Sequence, residues 1–152
     1  MAKKARKPGV AEFVLDGSLA LAWYFKDEAH PYADAVAARF PAARAAVPVI
    51  WPLEVVNAVL MGERRQRSTE AQAAKWLGYL GSLPIAVDDE TNNRAWSDVL
   101  SLARAQRLSA YDAAYLELAL RRGRVGLCTM TAPARPSAHA ARAGQGSGGR
   151  SG

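Results

Sequence analysis

The stretch Phe13-Val14-Leu15-Asp16-Gly17-Ser18 decides the fold. Its apolar run is typical of a short strand buried on both faces, and Gly17 and Ser18 turn the chain into a helix that begins near Leu19. In open α/β sheets, ligands bind just outside the carboxyl ends of the strands, so Asp16 lies where a functional acid is expected. An aspartate before a glycine also forms Asx turns, and that purely structural role stays open from this stretch alone.

The composition fits one domain of a cytoplasmic protein. The chain has 152 residues, half of them apolar, which is enough for one sizeable core. Its single cysteine, Cys128, excludes an internal disulfide and indicates a reducing compartment, and we expect it in the core. Neither a bilayer-spanning run nor a signal segment is recognisable, so we expect a cytoplasmic location and no membrane partner.

The two ends of the chain differ in composition from the middle. Lysines and an arginine crowd the first ten residues, and the last part is rich in glycine, serine and proline. We therefore predict a basic flexible N-terminus over 1–10, a domain over 11–131 and a disordered tail over 132–152. The net charge of +6 permits contact with nucleic acid without requiring it.

Strand and helix patterns alternate along the predicted domain. Short apolar runs predict strands at 13–15, 45–49, 84–87 and 125–130, and helical patterns cover 19–25, 28–40, 52–65, 69–80, 90–107 and 109–123. Strands that alternate with helices indicate a parallel sheet wound by right-handed crossovers. The expected fold class is therefore α/β, a three-layer α/β/α domain with a short central parallel sheet flanked by helices.

Three acids distant in sequence can meet at one edge of such a sheet. Asp16 ends the first strand, and Glu54 and Asp112 lie in the first turns of two helices. Three carboxylates in one crevice repel one another unless a cation is present. A hard divalent ion, Mg²⁺ or alternatively Mn²⁺, prefers oxygen ligands of this kind.

Each acid also has a structural explanation. Glu54 suits the positive end of a helix dipole, and the spacing of Ser109 and Asp112 resembles a capping box. The acidic run Asp88-Asp89-Glu90 stands where a helix begins, so we interpret it as capping rather than as a metal site.

The chain resembles the PIN-domain ribonucleases, particularly the VapC toxins of bacterial toxin–antitoxin pairs. The matching pieces are Val14-Leu15-Asp16-Gly17-Ser18-Leu19-Ala20, Pro52-Leu53-Glu54-Val55-Val56-Asn57-Ala58 and Leu108-Ser109-Ala110-Tyr111-Asp112-Ala113-Ala114-Tyr115. The order of strands and helices from about residue 12 to residue 130 also resembles that of the family.

The resemblance implies a Mg²⁺-dependent endoribonuclease. Asp16 and Asp112 are the implied principal metal ligands, with Glu54 assisting directly or through water. It also implies a homodimer and a cognate VapB-type antitoxin whose tail blocks the crevice. Ser18 and Asn57 are placed to hydrogen-bond the acids or the RNA substrate, although small polar residues near helix starts also act as caps.

The chain departs from the family pattern at Thr129-Met130-Thr131. The family usually carries a fourth acid where this chain has Thr131, in a Thr-x-Asp pattern in which Thr129 is the matching threonine. A neutral side chain is a poorer metal ligand, so the resemblance leaves activity open at this position. We hypothesise a frameshift near residue 130, which the coding DNA would test, and a C-terminal end that is truncated or altered.

Two alternatives to the active ribonuclease remain. The first is a catalytically weakened or silent PIN-like module that binds an antitoxin or RNA. The second is a flavodoxin-like receiver that is phosphorylated on Asp16 or a neighbour. The receiver would need an acidic pair near the first strand and a lysine after a later one, which the sequence does not place there.

Overall fold

The computed structural model describes residues 10–123 and 125–130. Thr131, the predicted tail and all of the predicted N-terminus except Val10 lie outside these residues. The strands are β1 (Ala11–Leu15), β2 (Ala43–Pro48), β3 (Ile85–Asp88) and β4 (Gly126–Cys128). The helices are α1 (Gly17–Ala22), α2 (Pro31–Ala37), α3 (Trp51–Arg64), α4 (Glu70–Ser82), α5 (Thr91–Arg94), α6 (Leu100–Gln106) and α7 (Ala110–Arg121). A 3₁₀ turn (Lys26–Glu28) precedes α2, and a π-helical segment (Ala95–Val99) joins α5 to α6.

The four strands of the described chain form one parallel sheet in the order β3-β2-β1-β4. In β1, Phe13, Val14 and Leu15 have no exposed surface, as expected for a strand covered on both faces. Helix α7 packs against β1, β2 and β4, and α1 packs against both α2 and α3. The predicted α/β class, with a parallel sheet flanked by helices, is confirmed.

The predicted helix over 28–40 is wrong in its first part. The chain makes the 3₁₀ turn Lys26–Glu28, and α2 begins only at Pro31. A residue before proline is driven to the extended region, and His30 has φ −149° and ψ 139°. The Nδ1 atom of His30 then caps α2 by accepting a hydrogen bond from the backbone N–H of Tyr32 at 3.1 Å.

The predicted helix from residue 90 to residue 107 is interrupted. Its middle, Ala95–Val99, is wound as a π-helix, and Arg107 ends α6 in the left-handed conformation with φ 54°. Val99 is buried against Ala113 and Ala114 of α7. A local insertion of this kind shifts which side chains face a neighbouring helix, so we attribute it to the packing of Val99 against α7.

The capping role predicted for Asp88-Asp89-Glu90 is only partly right. Asp88 Oδ1 accepts a hydrogen bond from the backbone N–H of Glu90 at 3.0 Å, but Glu90 itself makes no side-chain cap on α5. Instead the buried Asp88 carboxylate is paired with Arg121 at 2.9 Å and Arg122 at 2.8 Å. This ion cluster fastens the end of β3 to the end of α7.

The end of α1 packs closely against α3 at a glycine. A Cβ at Gly62 would lie 2.6 and 2.7 Å from two ring carbons of Phe25. The Phe25 ring is buried, touches Tyr24 at a centroid distance of 4.8 Å and lies 3.9 Å below the guanidinium of Arg67. Phe25 lies in the segment between α1 and the 3₁₀ turn, so Gly62 allows α3 to approach that segment.

Two further predictions can be checked in the described part of the chain. Cys128 is buried in the core, as expected, although β4 is shorter than the predicted strand over 125–130. No helix of the described residues is both long and apolar enough to cross a membrane.

Candidate metal-dependent active site

The carboxylate of Asp16 lies where β1 ends and is held by two hydroxyl groups. Ser18 Oγ donates a hydrogen bond to Asp16 Oδ2 at 2.9 Å, and Thr129 Oγ1 donates to the same oxygen at 2.5 Å. These donors lie on different elements, one in the first turn of α1 and one just after β4. The hydroxyl groups fix the orientation of the Asp16 side chain.

The backbone around Asp16 is also tied to β4. The N–H of Asp16 donates to the carbonyl oxygen of Cys128 at 2.9 Å, and the N–H of Met130 donates to Ser18 Oγ at 3.2 Å. Asp16 and Thr129 therefore meet because β1 and β4 are neighbours in the sheet.

Glu54 lies in the first turn of α3 and faces the start of α1. Its Oε2 atom accepts a hydrogen bond from the hydroxyl group of Tyr115 on α7. A Cβ at Gly17 would lie 3.4 Å from Glu54 Oε2 and 3.8 Å from the Tyr115 hydroxyl. Three helices thus meet at the Glu54 carboxylate, next to Asp16.

Asp112 is exposed in the first turn of α7, three residues before Tyr115 and on the same face. Its backbone N–H donates to Ser109 Oγ at 3.1 Å, so Ser109 caps the helix as the sequence suggested. The Asp112 side chain does not return a hydrogen bond to Ser109 in the described residues, so its carboxylate takes no part in the cap.

The three acids influence one another electrostatically. Burial raises the pKa of Glu54, the hydrogen bond from Tyr115 opposes this effect, and the negative charges of Asp16 and Asp112 raise the pKa further. Burial and the neighbouring Glu54 carboxylate also raise the pKa of the Tyr115 hydroxyl, which keeps it protonated as a donor. The edge of the sheet where these three acids lie is called here the carboxylate edge. Within residues 10–123 and 125–130, none of the three forms an ion pair with a basic side chain.

The donor set of the carboxylate edge fits a hard cation. All three side chains offer carboxylate oxygens, which Mg²⁺ and Mn²⁺ prefer, and a cation would remove the repulsion that raises the pKa of Glu54. In residues 10–123 and 125–130, however, no three Asp, Glu, His or Cys side chains are gathered tightly enough to hold an ion. The exposed Asp112 side chain is the one with freedom to move toward the other two.

The structure thus brings together most of the predicted site residues. Asp16, Glu54, Asp112, Ser18 and Thr129 all lie at the carboxylate edge.

Asn57 does not join them through a hydrogen bond, since it is exposed one turn after Glu54 and contacts neither acid in this way among the described residues. Thr131 is outside the described residues. Sequence reasoning gave no role to Tyr115 or Gly17, although the spacing of Tyr115 from Asp112 places the two on one helical face.

Comparisons with known proteins support the fold. No protein-family model and no curated protein sequence matches the chain. The chain is similar to the crystal structure of PAE2754 from Pyrobaculum aerophilum, with a TM-score of 0.58 and 22% sequence identity. The similarity covers 82% of this chain and 83% of that chain. At this identity, the likeness concerns the fold.

Proposed function

We propose that this protein is a metal-dependent endoribonuclease of the PIN-domain class that acts as the toxin of a VapBC-type toxin–antitoxin pair. The observation that carries the proposal is the placement of Asp16, Glu54 and Asp112 at the carboxylate edge, where the hydroxyl group of Tyr115, on the same helix as Asp112, reaches the Glu54 carboxylate beside Gly17. The negative charges of Asp16 and Asp112 also raise the pKa of Glu54. Neighbouring carboxylates repel one another, and a bound cation would remove that repulsion. Their position at the carboxyl end of a parallel sheet is the usual location of a site in this fold class.

Each residue has a distinct part in the proposed reaction. When bound, Mg²⁺ or Mn²⁺ would supply Lewis-acid polarisation of the scissile phosphate and would lower the pKa of a bound water. Asp16 and Asp112 would hold the ion, and Glu54 would assist directly or orient the water. Ser18 and Thr129 fix the Asp16 carboxylate through its Oδ2 atom.

The proposal includes partners. The substrate is RNA, and the regulators are a cognate VapB-type antitoxin and a second copy of the chain in a homodimer, all in the cytoplasm. An exposed apolar stripe on α3, formed by Leu53, Val56 and Leu60, supports a protein interface because its side chains repeat at helical spacing. Leu53 is 74% exposed, which makes it the most accessible side chain of the stripe.

The test is cleavage of an RNA pool by the full chain with Mg²⁺, with Mn²⁺ and with EDTA. Asp16→Asn is expected to lower the rate by at least about 100-fold, because it removes a ligand charge where even supporting residues are worth 10- to 100-fold. Asp34→Asn is the matched control, since Asp34 is exposed on α2 and should leave the rate unchanged. Equal metal-dependent cleavage by the Asp16→Asn protein and the wild type would refute the proposal.

A second candidate is a catalytically silent PIN-like module that binds an antitoxin or RNA. It is favoured by the lack of a preformed three-ligand group in the described residues and by the neutral Thr131 in place of an acid. The same RNA assay separates the two functions: background cleavage that is equal in the wild type and the Asp16→Asn variant, together with retained RNA or antitoxin binding, would assign the silent module.

A further inference from the structure

A cleft of about 650 Å³ lies away from the carboxylate edge. It opens between the end of α1, the turn after α3 and one face of α4, and we call it the α1–α4 cleft. Its lining residues are Trp23, Tyr24, Lys26, Asp27, Arg67, Ser68, Gln72, Lys75, Trp76 and Tyr79. Helices α1 and α3 begin at the carboxylate edge and end at this cleft. Since α3 has 14 residues, the two places are roughly 20 Å apart.

Aromatic side chains form one wall of the cleft. The rings of Tyr24 and Trp76 are stacked, with centroids 4.6 Å apart and an interplanar angle of 23°. Tyr79 lies one turn further along α4 and is 48% exposed, so its ring face is open to a ligand. Exposed aromatic faces of this kind bind the bases of single-stranded nucleic acids by stacking.

The charge of the cleft is positive. Lys26 and Lys75 are exposed, and neither makes an ion pair with another described residue. Asp27 is the one acid of the lining, and Arg67 neutralises it through a salt bridge of 2.8 Å. Arg67 also pairs with Glu28, so its single charge is shared by two carboxylates, and with Lys26 and Lys75 the group of five charged side chains carries a net charge of +1. The two lysines are the cations of this group that are available to an anion such as a phosphate.

We propose that the α1–α4 cleft binds a nucleotide of single-stranded RNA. The base stacks on Tyr79 and the adjoining aromatic wall, and the phosphates lie against Lys26 and Lys75. The combination of open ring faces with unpaired ammonium groups fits a nucleotide better than a purely apolar ligand. The choice of RNA over DNA rests on the proposed function, because an RNA held here would extend along α1 and α3 toward the carboxylate edge.

The test is binding of a fluorescein-labelled single-stranded RNA decamer to the full chain in EDTA, measured by fluorescence anisotropy at several salt concentrations. Two variant proteins are compared with the wild type: a double variant, Lys26→Gln with Lys75→Gln, and the single variant Tyr79→Ala. The matched control is the pair Arg44→Gln with Arg104→Gln, which removes the same charge from two exposed positions outside the cleft. Melting temperatures check that each protein is folded.

The double variant Lys26→Gln with Lys75→Gln is expected to bind RNA about 10-fold more weakly or worse. Its slope of log K against log salt concentration should be shallower by roughly 1.4, which corresponds to two lost phosphate contacts at about 0.7 each. Tyr79→Ala is expected to weaken binding about 5- to 100-fold, the effect of one lost base stack. The control pair should stay within about two-fold of the wild type in affinity. Equal affinity in the cleft variants and the control would overturn the proposal.

Two comparisons separate this inference from the proposed function. RNA binding in EDTA that is lost in the cleft variants supports the cleft even where Mg²⁺ yields no cleavage. Cleavage that depends on Asp16, with binding unaffected by the cleft variants, refutes the cleft alone. An acidic tryptophan-containing peptide that binds more tightly than the RNA, and loses affinity in the same variants, would assign the cleft to a protein partner and overturn the proposal.

Discussion

The hydroxyl group of Tyr115 connects α7 to Glu54 and is the smallest unit on which the candidate site depends. It lies beside Gly17, within 3.8 Å of the position a Cβ would take there, and its hydrogen bond lowers the pKa of Glu54 against the effects of burial and of Asp16 and Asp112. Tyr115 thus keeps the Glu54 carboxylate both oriented and available in ionised form.

Replacing Tyr115 by Phe should therefore affect activity more than stability. The buried ring remains, while the Glu54 carboxylate loses its donor and its pKa rises further. We expect metal-dependent RNA cleavage to fall by about 10- to 100-fold, as for other groups that orient a metal ligand. Rates of the Tyr115→Phe protein at several Mg²⁺ concentrations measure the effect, and Asp34→Asn on the exposed part of α2 is the control. An unchanged rate would remove Tyr115 from the site.

At the residue scale, the sequence located the acids together with Ser18 and Thr129, which hydrogen-bond Asp16, but it did not indicate the partner of Glu54. Asp16 and Glu54 could be found because they follow apolar runs at the carboxyl ends of predicted strands. The partnership of Glu54 with Tyr115 joins residues 61 positions apart, and nothing local indicates which of several tyrosines will reach the acid. The one indication in the sequence was the spacing of Tyr115 from Asp112, which places both on the same face of α7.

At the scale of elements, the contact between Gly62 of α3 and the ring of Phe25 sets how closely α3 approaches the end of α1. The Phe25 ring has little freedom to move, because Tyr24 and Arg67 enclose it.

Gly62→Ala is expected to destabilise the protein, contrary to the usual effect in a helix. Alanine normally raises helix stability by about 0.5–1 kcal/mol over glycine. Here its methyl group would clash with Phe25, and overpacking of this kind lowers the free energy of unfolding by about 1–3 kcal/mol. Urea denaturation of the variant measures the change.

Gly78→Ala in α4 is the matched control, because a Cβ there meets no atom within 4 Å. It should raise the free energy of unfolding by about 0.5–1 kcal/mol. If both alanine variants were stabilised, the close packing at Gly62 would be refuted.

The element boundaries show what local sequence can and cannot predict. Strong apolar periods placed α3 and α4 almost correctly. The break before α2 could have been predicted from Pro31. The π-helical segment Ala95–Val99 could not, because nothing in its local sequence indicates a π-helix. Its winding depends on how Val99 packs against α7, and that contact exists only in the folded chain.

At the scale of the whole molecule, the ion cluster around Asp88 joins distant parts of the chain. Arg121 and Arg122 both bind the Asp88 carboxylate, Arg122 also reaches Glu12 of β1 at 3.4 Å, and Arg121 binds the buried Glu117. One end of α7 is thus fixed to two strands of the sheet.

Asp88 is expected to make stability depend on pH. Burial alone would raise its pKa, but hydrogen bonds from Arg121 and Arg122 outweigh burial and lower the pKa to about 2. A lowered pKa stabilises the fold fully above the unfolded value of 3.8, and that stabilisation is lost as the pH falls toward 2. The shift corresponds to about 2 kcal/mol.

Asp88→Asn should accordingly lower the free energy of unfolding by about 2–4 kcal/mol at pH 7, since two arginines lose their buried partner. Denaturation at a series of pH values should show the difference from wild type shrinking below pH 4. The control is Asp98→Asn, whose ion pair with Arg94 is exposed and worth less than about 1 kcal/mol. A difference that stays constant down to pH 2 would contradict the assignment.

Strand β4 has only three residues, yet it supplies the backbone oxygen that receives the N–H of Asp16 and leads directly into Thr129. A strand of three residues makes few hydrogen bonds to its neighbour, so it opens locally more often than the whole fold unfolds. Under the proposed function, the time for which β4 stays paired with β1, and not the global stability of the fold, would determine how long each molecule remains active. Substitutions in β4 or at Thr129 would then change the catalytic activity while leaving the protein folded.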